Sequence, residues 1–442
     1  MKRLRATAVA VAFAAGLTGC SLVDRLLEVP EDPLPGERIS VLEADRTLQP
    51  DSGMQSREVL LPRPTPNPEW PQPGGYQNHA MHHIAVGENL QRAWTANVGS
   101  GTDGDRRILS PPVVAAGRVY TIDADAVVQA TDQSSGRELW RFDAQPPDES
   151  SGLPGGGISY WDGRLYVATG LAEVMALDDA NGQVLWRRPL SAPARSGPTV
   201  LDGRVFVTSV DNQLLALSSQ DGSTLWSHRG AEEMAMLLGT ASPAVEEGLV
   251  VTVYSSGEIF ALRVETGRTA WQDSLVATRQ PDAVSALADI RAMPVIDRGR
   301  VHIISNAGLH ASYDLRSGAR LWDREIGGVE TPWVAGGYIF LITTSNELVA
   351  LTRDDGSIAW VRQLARFIDN DPRNDPVSWT GPVLVGDRLI AAGSHGVAIA
   401  ISPYDGTVLG SVGIPDGVTV PPVVAGETVF FLTEGAQLVA YR

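Results

Sequence analysis

The chain has 442 residues, 43% hydrophobic and 6% aromatic, so it can bury a sizeable core and exceeds the roughly 100–200 residues of an ordinary domain. A formal net charge of −17 argues against a nucleic-acid partner, whose phosphates it would repel. One cysteine (Cys20) and one lysine (Lys2) exclude a disulfide framework, a cysteine-based zinc site, and a phosphate-loop or Schiff-base lysine in the body of the chain.

Lys2, Arg3 and Arg5 open the chain and are followed by an apolar run over residues 6–17. That run falls short of the roughly 20 residues needed to cross a bilayer, so residues 1–19 read as a signal peptide. Leu17-Thr18-Gly19-Cys20 resembles the lipobox of bacterial lipoproteins, which implies cleavage before Cys20 and its acylation. Acyl chains, at about 0.8 kcal/mol per buried CH₂, would then hold the protein on a membrane without a spanning helix. By the same resemblance, Ser21 rather than an aspartate after the cysteine favours the outer membrane.

Residues 20–85 are expected to form a tether. Pro62, Pro64, Pro66, Pro68, Pro71 and Pro73 are among the prolines that interrupt any ladder and favour an extended chain. Val59, Leu60, Leu61 and Trp70 are apolar positions able to dock on a folded body. His79, His82 and His83 lack an acidic partner at a ligand spacing and read as surface or packing residues.

From there a repeat dominates. Gly-x-x-x-Trp ends successive units at Trp140, Trp186, Trp226, Trp271, Trp322 and Trp360, then degenerates to Gly406-Thr-Val-Leu-Gly410. A period of about 45 residues signals a propeller or a solenoid. The unit ending at Trp186 holds four short β-type runs, at 157–160, 164–168, 174–177 and 183–186, with Asp162-Gly163 and 178–182 as turns. Four antiparallel strands without an amphipathic helix make a propeller blade.

Seven units end at or before Gly410, and three further strands follow around 420–424, 428–432 and 437–441. A strand at 90–94, carrying Trp94, supplies the missing fourth and closes the ring without a free edge. The expected fold is therefore all-β, an eight-bladed propeller over residues 86–442. Trp94, Trp140, Trp186, Trp226, Trp271, Trp322 and Trp360 are expected to pack between blades, with each indole N–H bonded locally.

Ala176-Leu-Asp-Asp-Ala-Asn-Gly-Gln-Val-Leu-Trp186 resembles the tryptophan-docking motif of eight-bladed quinoprotein propellers. Weaker copies run through Ala216, Asp221 and Trp226 and through Ala350, Asp355 and Trp360. Two families share this motif: PQQ-dependent dehydrogenases and the BamB family of outer-membrane assembly lipoproteins. The dehydrogenase resemblance implies PQQ held with Ca²⁺ by carboxylates and amides, a catalytic aspartate and often an adjacent cysteine pair. Here there is no second cysteine and little room for the inserted segments of such a site. Asp123, Asp125, Asp211 and Asp314 are candidate acids, but each lies by a turn, where aspartate serves turn chemistry. HExxH, GxSxG and phosphate-loop motifs are missing, so no catalytic residue, cofactor or metal is assigned.

The BamB resemblance implies a protein-binding face instead. Turns such as Ala116-Gly117, Asp202-Gly203 and Gly386-Asp387 are short, whereas the blade-to-blade connections at 227–242, 272–293 and 361–380 are long and variable. Two of these loops match, by resemblance, the loops through which that family contacts BamA. Met236, Leu237 and Leu238 would form an apolar anchor, with an Asp289 charge pair beside it on Asp289-Ile290-Arg291. Leu238 stands where the family has arginine, and Arg291 where it has a second acid. The implied role is a non-catalytic scaffold of the β-barrel assembly machinery. It would be lipid-anchored at the outer membrane, face the periplasm, bind BamA, and receive unfolded outer-membrane chains. The alternatives are a periplasmic PQQ/Ca²⁺ dehydrogenase, or a propeller binding a glycan or another envelope protein.

Overall fold

The computed structural model describes residues 47–54, 58–145, 156–194, 196–233, 237–239, 241–276 and 288–442. The expected signal peptide, Cys20 and Met236 lie outside these. The described residues form 32 strands in eight four-stranded antiparallel sheets, each running from an innermost to an outer strand. Blades 1 to 7 span 113–143, 156–189, 199–229, 244–274, 295–324, 333–363 and 379–413.

Blade 8 joins the two ends of the chain. Arg92–Asn97 pairs with Gln437–Tyr441, bringing Trp94 opposite Ala440, and Gln91 and Arg442 exchange both backbone hydrogen bonds at 2.8 and 2.9 Å. The closing strand thus begins two residues later than expected. The innermost strand of the same blade starts at Val423 rather than 420, because Pro421 and Pro422 have no N–H to give a ladder.

The middle strands of each blade are buried on both faces, which explains their unbroken apolar runs. Val205, Phe206 and Val207 face Leu214 to Leu217 in this way. The first turn of each blade is a two-residue hairpin, with positive φ at both positions in all but blade 6, as at Asp162 (49°) and Gly163 (74°). This geometry matches the strands' right-handed twist.

The repeated glycine and tryptophan serve two different interfaces. A Cβ on Gly136, Gly182, Gly222, Gly267, Gly318, Gly356 or Gly406 would lie 2.5–2.8 Å from a ring carbon of the tryptophan of the preceding blade. Each of these glycines also has positive φ. The indole N–H donates to a carbonyl of that same neighbouring turn, for example Trp186 to Ser219 at 3.0 Å and Trp271 to Leu315 at 2.7 Å. These bonds are therefore not local, as expected from sequence, but cross from one blade to the next. Gly410 takes the eighth tryptophan position because blade 8 has no such turn. Its third and fourth strands are the two ends of the chain.

Residues 58–85, expected to belong to a tether, are packed on the body instead. They pass round the axis and meet the innermost strand of every blade in ring order. Asn67 takes the carbonyl of Val424 at 2.8 Å, Trp70 exchanges two bonds with Val114, and Pro71 accepts from Tyr160 at 2.7 Å. The Gln72 amide makes two 2.9 Å bonds to the backbone of Val200. Gln77 and Asn78 accept from Val245 and Ile296, His82 from the Trp333 indole at 2.7 Å, and Ile84 from Gly386 at 2.9 Å. Innermost strands have an unpaired edge toward the channel. A proline-rich segment offers carbonyls without N–H groups, and so suits the donors of those edges. His79 and His83 pack here through Nδ1 against the carbonyls of Pro294 (2.7 Å) and Pro62 (2.8 Å).

Candidate functional site

On the face opposite the short turns, the connections from blade 3 to blade 6 are tied into one rim. Asp289 is only 4% exposed, and its Oδ2 accepts the backbone N–H of Leu237 at 2.6 Å. Its own carbonyl accepts from Asn306, and the next N–H, of Ile290, reaches Tyr254. Burial raises the Asp289 carboxyl above the usual aspartate range, against the Leu237 N–H and the Arg291 charge, which both lower it.

Arg291 turns to the next connection and pairs with Glu330 at 2.6 Å. Glu330 is itself buried, and its other oxygen accepts from the Thr380 hydroxyl at 2.7 Å, on the innermost strand of blade 7. The Thr331 hydroxyl accepts from the Met293 N–H at 3.1 Å. Three successive connections and the innermost strand of blade 7 therefore hold one another.

This corrects the expected roles on the second loop. Asp289 and Ile290 are buried, and Arg291 is half-buried in an internal ion pair, so none of the three stands free as an outward charge or anchor. Their hydrogen bonds are spent on the protein itself. Leu237 is half-buried and pinned by its N–H, while Leu238 points out at 40% exposure. Glu330 was not singled out from the sequence. The only signal for it is a carboxylate directly before Thr331-Pro332, where an innermost strand begins. Val276 is a further exposed apolar residue at the edge of the second loop.

The four candidate acids are not brought together. Asp123 caps its own turn, accepting from the N–H groups of Ser100, Asp125 and Val127 at 2.8–2.9 Å. Asp125 pairs with Arg106, Asp211 with Arg229, and Asp314 binds the N–H and hydroxyl of Ser317. Among the described residues no group of three His, Cys, Asp or Glu is placed to hold a metal ion. Such an arrangement offers a surface for binding and no converging acid, base and nucleophile.

The profile of the family described as "Outer membrane protein assembly factor BamB" matches residues 91–151 and 124–362. The protein of that name from Alkalilimnicola ehrlichii is 35% identical over 363 residues, covering 82% of this chain and 91% of its own. The Escherichia coli protein of that name is 32% identical over 320 residues, covering 71% and 79%. The chain belongs to the BamB family. BamB from Moraxella catarrhalis superposes with a TM-score of 0.68 at 16% identity, covering 80% of this chain and all of that one. Quinohemoprotein alcohol dehydrogenase from Comamonas testosteroni reaches 0.67 at 14%, covering 85% and 80%. At those identities the superpositions speak for the propeller alone, and the BamB assignment rests on the sequence relatives.

Proposed function

We propose that this BamB-family propeller is a non-catalytic scaffold of outer-membrane protein assembly that binds a BamA-like partner through its inter-blade face. The observation that carries this is the Leu237–Asp289 clasp. It ties Leu237 of one long connection to Asp289 of the next while leaving the Leu238 side chain uncovered. A rigid loop presenting an exposed apolar side chain loses little entropy on binding and suits an interface anchor.

The reading includes acylation at Cys20 and a periplasm-facing location at the outer membrane. No helix among the described residues is long and apolar enough to cross a membrane. Affinity purification of the full chain from envelope membranes tests the proposal. Recovery of a BamA-like protein with the wild type, and its loss with Leu238→Asp, is the expected result. A partner set without BamA would favour another envelope protein or a glycan.

A further inference from the structure

The outer strand of blade 7, Val408–Gly413, differs from the other seven. Every other outer strand carries at least one ionised side chain: Arg92, Arg141, Arg187, Arg229, Asp273, Arg320 and Arg362 are examples, one from each. Val408–Gly413 reads VLGSVG, with no charge, and all six residues are exposed. Val408 is 56% exposed, Leu409 57% and Val412 39%.

Two causes combine. Gly410 replaces the tryptophan that would cross to blade 8, and nothing lies within 4 Å of a Cβ placed on it. Blade 8 in turn has no closed turn against this strand. The strand thus shows both an unpaired backbone edge and uncovered apolar side chains. Charged residues on an edge strand normally prevent pairing with another chain, and here they are missing.

We propose that this strand accepts an extended, uncharged strand of a client outer-membrane polypeptide by β-augmentation. The proposal rests on the assembly-factor reading above and names its client class. A membrane-spanning β-strand alternates apolar with small polar residues over about 9–11 positions. It can add to this edge without bringing a charge against it. A second copy of this chain fits less well, because each copy carries −17 and like-charged bodies repel.

The test uses purified full-length protein and a fluorescein-labelled peptide of about ten residues alternating Val and Tyr with Thr and Ser. Saturable binding is expected, and weaker binding by about tenfold in Val412→Lys and in Leu409→Lys. Leu225→Lys, on the already charged outer strand of blade 3, should leave it unchanged. These side chains are exposed, so the fold is retained. BamA capture should be unaffected by Val412→Lys, which separates this proposal from the partner reading. Absence of peptide binding, or equal binding by wild type and Val412→Lys, would overturn the proposal. So would a concentration-dependent dimer of the wild type that Val412→Lys abolishes, because it would identify the occupant as a second copy.

Discussion

The backbone N–H of Leu237 donates to the buried carboxylate of Asp289 at 2.6 Å, across 52 positions of sequence. One loop's conformation is therefore written in the other. Asp289→Ala removes the acceptor and leaves a poorly solvated N–H, which should cost about 1–3 kcal/mol. Urea denaturation measures that loss. Partner capture should fall with it, although Asp289 itself is not exposed. Full capture by a variant destabilised to that degree would show that the clasp does not order the anchor.

Trp226→Ala should cost about 3–5 kcal/mol, as a large core truncation does. Gly267→Ala should also destabilise, because its Cβ would meet the Trp226 ring and its φ is +68°. Gly410→Trp, which restores the repeat by sequence, should not stabilise the protein, since no glycine turn faces it. Thermal unfolding of the three variants separates these outcomes, and a raised Tm for Gly410→Trp would contradict the two-interface reading.

The axial segment should contribute to the stability of the whole ring. Gln72→Ala removes both bonds to the Val200 backbone and exposes no new surface to compensate, for an expected loss of about 1–3 kcal/mol. Limited proteolysis should then cut within residues 58–85 before it cuts any blade. Cleavage of that segment at an equal rate in wild type and variant would contradict its docking.

Three buried histidines set a pH dependence. Burial lowers His79 to about 4 and His310 to about 3, and drives His302 well below the ordinary value. His302 occupies the position held by Phe206 and Phe340 in other blades, and Trp322 packs on it and on His310. All three are neutral when folded, whereas the unfolded chain takes up protons below about pH 6.5. Stability is therefore full above that value and falls as pH drops from about 6.5 toward 3–4. The loss is about 2 kcal/mol per histidine at pH 5. Urea midpoints at pH 7.5 and pH 5 measure it. His302→Phe with His310→Leu, which copies the neighbouring blades, should flatten the dependence.

Much of the fold was legible because each blade carries its own copy of one short motif. What the motif could not show was that its glycine and its tryptophan face opposite neighbours, since that pairing exists only between blades. The proline-rich segment announced an extended chain and nothing about its receptor, because its hydrogen-bond partners come from eight blades, as distant as Val424. In the candidate site, Leu238 could be read as an apolar loop residue, but the inward turn of Asp289 and Arg291 could not. It depends on Tyr254, Glu330 and Thr380, which lie in other connections and strands.

The central claim is that the inter-blade face binds a BamA-like protein through the ordered Leu237–Leu238 loop. Titration of the purified chain with the soluble periplasmic part of BamA from the same organism tests it most directly. Saturable binding is expected for the wild type and for Leu225→Asp, an exposed substitution on the outer strand of blade 3. Leu238→Asp should weaken binding by at least about tenfold, as loss of an interface anchor does. Equal affinity for all three proteins, or no binding by the wild type, would contradict the account.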